Sequence, residues 1–92
     1  MKNISIVLDY KSTELKSDLL RQLAVMLDNE TCAKGLNCSF TGDFIDGTLS
    51  ISLSLISGEE FTYNYFIDVV SLVKEIFDKL NIFLKVKSVS SF

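Results

Sequence analysis

Two hydrophobic rhythms divide the chain, one alternating and one helical. Ile4, Ile6, Leu8 and Tyr10 fall on one side of an alternating run and Ser5, Val7 and Asp9 on the other, which predicts a first strand with one covered face. The alternation is clearest from Leu36 to Ser57, on either side of Asp46-Gly47. An Asp-Gly pair in that setting predicts a hairpin, because a type I′ turn needs positive φ at both central residues and its twist matches the strands. A two-residue loop would set Ile45 opposite Thr48, Phe44 opposite Leu49, Gly42 opposite Ile51, Phe40 opposite Leu53 and Cys38 opposite Leu55. The other face would then pair Asp43 with Ser50, Thr41 with Ser52 and Ser39 with Ser54, and a slip of one residue would mix Leu and Ser on both faces. Alternation returns near the end, with Ile82, Leu84 and Val86 on one side and Phe83, Lys85, Lys87 and Val89 on the other.

Two stretches follow the helical period instead. Ser12 offers an N-cap and Glu14 a carboxylate in the first turn. At ~100° per residue, Leu15, Leu19, Leu20, Leu23, Met26 and Leu27 share an arc of about 140°. Asp28 to Thr31 interrupts the pattern and Gly35 can take a left-handed conformation, so the helix is expected to end between Asp28 and Lys34. Ser57-Gly58-Glu59-Glu60 reads as a capping box that opens a second helix, running to about Leu80. Its apolar arc, from Phe61 and Tyr63 through Val69, Val73, Ile76 and Phe77, is about 200° wide at the same angular step.

That arc is wider than contact with a sheet requires. One flank can pack against the first helix; the other, either Tyr63 with Ile67 or Tyr65 with Leu72, is then expected to stay exposed. Tyr63, Tyr65, Ile67 and Leu72, together with Phe83, are therefore the expected partner-binding residues.

The element order is βαββαβ, and each strand has one apolar face that two helices can cover. This is the ferredoxin-like split βαβ arrangement, an α+β two-layer sandwich with both helices on one face, and right-handed crossovers give a strand order of 4-1-3-2. Ninety-two residues, 48% of them hydrophobic, fit a single domain spanning 1–92.

Charge and composition narrow the function without naming it. A net charge of -3 argues against a nonspecific grip on nucleic acid or an anionic membrane, which both want clustered Lys and Arg. No run is long enough for a membrane span, and the apolar stretch near the start is too short for a signal peptide. Cys32 and Cys38 are too few and too close for a secreted disulfide framework, so a reduced cytoplasmic setting is expected.

Candidate chemistry is sparse. There is no His and a single Arg, and no Ser has a plausible activating base. Asp9 and Asp43 fall at the same end of the sheet, where a metal-dependent nuclease would place carboxylates. With the third strand between them they stand about 10 Å apart at ~4.8 Å per strand, too far to share one ion. The face away from the helices lacks central aromatics on which bases could stack, since those positions are Val7 and Ser52. No cofactor is expected. The expected function is non-enzymatic protein binding, by a small acidic inhibitor or adaptor of the kind mobile elements encode or by a homodimeric module. The alternatives are a ligand-sensing regulatory domain and a nuclease using Asp9.

Overall fold

The structure, a computed structural model, describes residues 1–9, 17–43 and 47–92, without the side chains of Ser17 and Asp43. The expectations placed on Tyr10, Ser12, Glu14, Leu15, Phe44, Ile45 and Asp46 lie outside the described residues. The elements follow in the order β1 (Asn3–Asp9), α1 (Ser17–Ala33), β2 (Leu36–Asp43), β3 (Thr48–Leu55), α2 (Tyr63–Lys79) and β4 (Lys85–Ser91). The four strands form one sheet in the order β2-β3-β1-β4, and all three neighbouring pairs are antiparallel. The fold is the α+β sandwich with βαββαβ connectivity that the alternating and helical stretches predict.

Pairing carries the apolar rows straight across the sheet. Phe40, Ile51, Ile6 and Val89 form one row, and Gly42, Leu49, Leu8 and Val86 the next. The central residues of these rows are buried and join Leu23 and Leu27 of α1 and Val69, Val73, Ile76 and Phe77 of α2 in one core. Both helices therefore cover the same face. The opposite face carries rows such as Ser39, Ser52, Ser5 and Ser90, which leaves hydroxyls in water.

The hairpin keeps its expected facing but not its expected register. Asp43 pairs with Thr48, Gly42 with Leu49, Phe40 with Ile51 and Cys38 with Leu53, two residues away from the partners a two-residue Asp46-Gly47 loop would give. Residues 44–47 thus lie between the paired strand ends. A two-residue shift leaves every side chain on its face, because the side-chain period of a strand is 2, so facing alone could not detect it. Gly42 accordingly lies against Leu49, where an added Cβ would come 3.4 Å from Leu49 Cδ2.

β4 departs from simple alternation. Leu8 pairs with Val86 but Val7 pairs with Ser88, so Lys87 sits in a bulge, and Val89 then falls opposite Ile6. Val89 is on the helix side with Val86, not on the side of Lys85 as strict alternation from Ile82 implied.

The start of α2 also differs. Gly58 has φ 78°, its N–H donates to the Leu55 carbonyl at 3.0 Å, and the Ser57 hydroxyl accepts from Glu59 N at 3.3 Å, which makes a turn leaving β3. A left-handed Gly58 stops a helix from starting at Ser57. Phe61, 5% exposed, donates its N–H to the Met1 carbonyl at 2.7 Å, and Glu60 lies 3.5 Å from the Met1 amino group. The N-cap is Thr62, whose hydroxyl accepts from Tyr65 N at 3.2 Å. At the other end Asn81 takes φ 54°, Ile82 N donates to Phe77 O at 3.0 Å and Asn81 N to Asp78 O at 3.1 Å. That is a Schellman closure, and its apolar contact is the buried pair Phe77 and Ile82.

α1 runs to Ala33 and Gly35 follows with φ 73°, as its sequence position suggested. Thr31 continues the buried Leu23 and Leu27 ridge at helical spacing and is 1% exposed. Burial is tolerable because its hydroxyl donates to the Leu27 carbonyl at 2.6 Å. No helix of the described residues is long and apolar enough to cross a membrane.

Candidate functional site

α2 buries one ridge, Val69, Val73, Ile76 and Phe77, and leaves a flank on either side of it. The two candidate flanks lie on opposite sides of the helix, about 170° apart at ~100° per residue. The structure separates them by exposure. Tyr65 and Leu72 are half-buried on the α1 side, and Tyr63 and Ile67 stand open at 69% and 45% exposure.

Tyr65 is engaged within the chain. Its ring stacks on Phe61 with centroids 5.8 Å apart at 27°, and its hydroxyl donates to the Lys34 carbonyl at 3.2 Å, just past the end of α1. Leu72 lines a cleft of about 450 Å³ with Tyr65, Lys34, Asp68 and Glu75. The cleft presents one cation and two carboxylates among apolar walls.

The open flank leads to a different feature. Tyr63, Ile67, Val70 and Lys74 follow one another at spacings of four, three and four residues, which is a single stripe on a helix. Val70 and Lys74 then line a trough of about 290 Å³ between α2 and the β1–β4 edge, with Ile6, Leu8, Val73 and Phe77 inside and Phe83, Val86 and Val89 at the rim. Phe83 is 74% exposed, Val86 52% and Val89 40%. Of the five expected partner-binding residues, the structure places Tyr63, Ile67 and Phe83 along this stripe and trough, and Tyr65 and Leu72 elsewhere. Val70, Val86 and Val89 were not singled out from the sequence. For Val86 and Val89 the signal was the three-residue step between them, which puts both on one side of the strand only with a bulge, and for Val70 it was the helical spacing from Tyr63 and Ile67.

The remaining chemistry is placed as follows. Asp9 and Asp43 both pair with Thr48, one from each side of β3, so two strand spacings separate their backbones, about 10 Å. Among the described residues no group of three or more His, Cys, Asp or Glu side chains is arranged to hold a metal ion. Cys32 is exposed and Cys38 half-buried, both as free thiols. Burial pushes the Cys38 thiol above its ordinary value, with the Thr31 hydroxyl partly offsetting this and Asp28 adding to it. A protonated thiol packed beside Leu53 behaves as a small apolar side chain.

No family model matches the chain, and no curated protein matches its sequence.

Proposed function

We propose that this chain is a non-catalytic interaction module that docks on a protein partner through the stripe of α2 and the trough beside β4. The observation that carries the reading is the exposure of Phe83, at 74%, on the lining of an apolar trough, together with that of Tyr63 and Ile67, at 69% and 45%, on the α2 stripe that leads to it through Val70 and Lys74. Large aromatic and aliphatic side chains grouped at the surface gain more from covering by another protein than from water. The serine-rich face offers hydroxyls and few groups able to move a proton, which is consistent with a surface that binds rather than reacts. A small inhibitor or adaptor acting on a larger protein fits this description.

The test uses the chain immobilised through a tag, beside a variant carrying Ile67→Asp and Phe83→Asp. Both positions are exposed, so the fold should survive, as circular dichroism would verify. The parent is expected to retain a protein partner that the variant releases. A parent that stays monomeric in light scattering at every concentration and retains no protein contradicts the reading.

A further inference from the structure

The two edges of the sheet are built differently. β4 carries Lys85 and Lys87 and is interrupted by a bulge, two devices that keep another strand from adding. β2, the opposite edge, pairs with β3 alone, without a shift of register from Leu36 to Asp43. It holds no Lys, Arg, Glu or Pro, and its one charged residue is the last. An edge this regular and this neutral is open to strand addition.

Hydrogen bonding fixes which groups face outward. Ile56 N donates to Gly35 O at 2.9 Å, and these residues stand opposite each other one step beyond the Leu36–Leu55 pair. Bonds between directly opposed residues recur at every second position of an antiparallel ladder, so Asn37, Ser39, Thr41 and Asp43 bond to β3. Leu36, Cys38, Phe40 and Gly42 therefore turn their N–H and C=O groups to the free edge, and these four positions are centred on Ser39.

A second β2, related to the first by a two-fold axis at Ser39, meets every one of them. Antiparallel pairing sets Leu36 opposite Gly42 of the other copy and Cys38 opposite Phe40, which places all the outward residues of both copies in hydrogen-bonded pairs. The side chains suit this register. Cys38 and Phe40, half-buried on the helix side, cover each other; on the open side Ser39 meets Ser39 and Asn37 meets Thr41, polar groups that can share hydrogen bonds. Charge suits it as well. Gly35 falls opposite Asp43, so Lys34 of each copy comes one position from Asp43 of the other, and the strand's two ends complement each other twice. Asp28 acts on the Cys38 thiol and so stands near this edge, but it is exposed and water screens its charge. We infer that the β2 edges join two copies of this chain, turning two four-stranded sheets into one continuous sheet. The α2 stripe and the trough beside β4 lie at the opposite edge and stay open in the pair.

The experiment follows the mass of the chain by sedimentation velocity from about 1 μM to about 1 mM, a span that covers weak association. The parent is expected to pass from the 10.3 kDa monomer to twice that mass as concentration rises. Ser39 is exposed, so Ser39→Lys and Ser39→Glu should each leave the fold intact, as circular dichroism would verify. Either variant alone sets like charges face to face on the axis and should weaken dimerisation by about tenfold. An equimolar mixture of the two sets Lys against Glu and should restore it. Ile67→Asp with Phe83→Asp should dimerise like the parent.

A parent that stays monomeric throughout overturns the inference and leaves the β2 edge to a different protein. So does a dimer that both Ser39 variants keep, that mixing them fails to restore, or that Ile67→Asp with Phe83→Asp breaks. Capture of a partner through α2 is a separate readout, so a failure of pairing leaves the interaction reading to its own test.

Discussion

Val89 stands directly opposite Ile6 in the β4–β1 pair, on the side of the sheet that faces the helices. One extra residue, Lys87, makes this possible, and it widens the apolar edge of the sheet by a side chain that alternation would have turned to the open face. The consequence is testable with two neighbouring substitutions. Val89→Asp should lower stability by about 1 kcal/mol and weaken partner binding, and Ser88→Asp should do neither. Urea unfolding and a binding assay on both variants check this; the reverse ranking would mean that β4 has no bulge.

The two faces of β3 predict a larger contrast. Leu53 is 1% exposed, between Cys38 and Ile4, and Ser52 on the other face is exposed. Leu53→Asp loses a core side chain and buries a carboxylate, at a cost of roughly 4 kcal/mol or more. Against a total stability of roughly 5 to 14 kcal/mol for a chain of this length, that unfolds much of the population, and Ser52→Asp leaves it folded. Circular dichroism melts give the answer. Two equally cooperative transitions would reverse the facing of the sheet.

Capping separates Thr62 from Ser57. Thr62→Ala removes the acceptor for Tyr65 N and should cost about 1 kcal/mol. Ser57→Ala removes only an exposed 3.3 Å contact to Glu59 N and should cost less than half of that. Urea midpoints measured side by side distinguish the two, and a larger loss at Ser57 would restore the earlier helix start.

The thiols should differ in reactivity and in their link to pH. Cys32 is exposed and should be alkylated well before half-buried Cys38, as mass spectrometry of a timed iodoacetamide reaction would show. For Cys38, a folded value raised above the ordinary 9.0 means that the folded chain holds the proton more tightly than the unfolded chain. The stability this adds is fully present below about pH 9 and is lost as pH climbs through the folded value. Cys38→Ala should therefore flatten the alkaline fall of the urea midpoint relative to the parent. An unchanged slope would show that Cys38 is as wet as a free thiol.

The order of elements, the two faces of β1, β2 and β3 and the end of α1 were legible in the sequence because each follows from local period or from one residue such as Gly35, whereas the bulge in β4 put Val89 on the face that alternation denied it. What escaped it depends on contacts distant in the chain. The Ser57 capping box looks sound until Phe61 is seen hydrogen-bonded to Met1, some sixty residues away. The hairpin shift hides because two-residue steps preserve facing. Thr31 was assigned to a break in the helix because a polar residue reads as exposed, whereas its hydroxyl is satisfied by the turn before it. For the candidate site, the breadth of the α2 arc was visible but its open flank was not. That choice is made by α1, which brings Lys34 to the Tyr65 hydroxyl and leaves Tyr63 and Ile67 in water.

Hydrogen exchange on the chain, alone and with the protein it captures, addresses the account most directly. Slowed exchange confined to α2 between Tyr63 and Lys74 and to the segment from Phe83 to Ser91 is the predicted result. Slowed exchange on β2 and β3, with α2 and β4 unchanged, would contradict it and move the working surface to the sheet's serine-lined side.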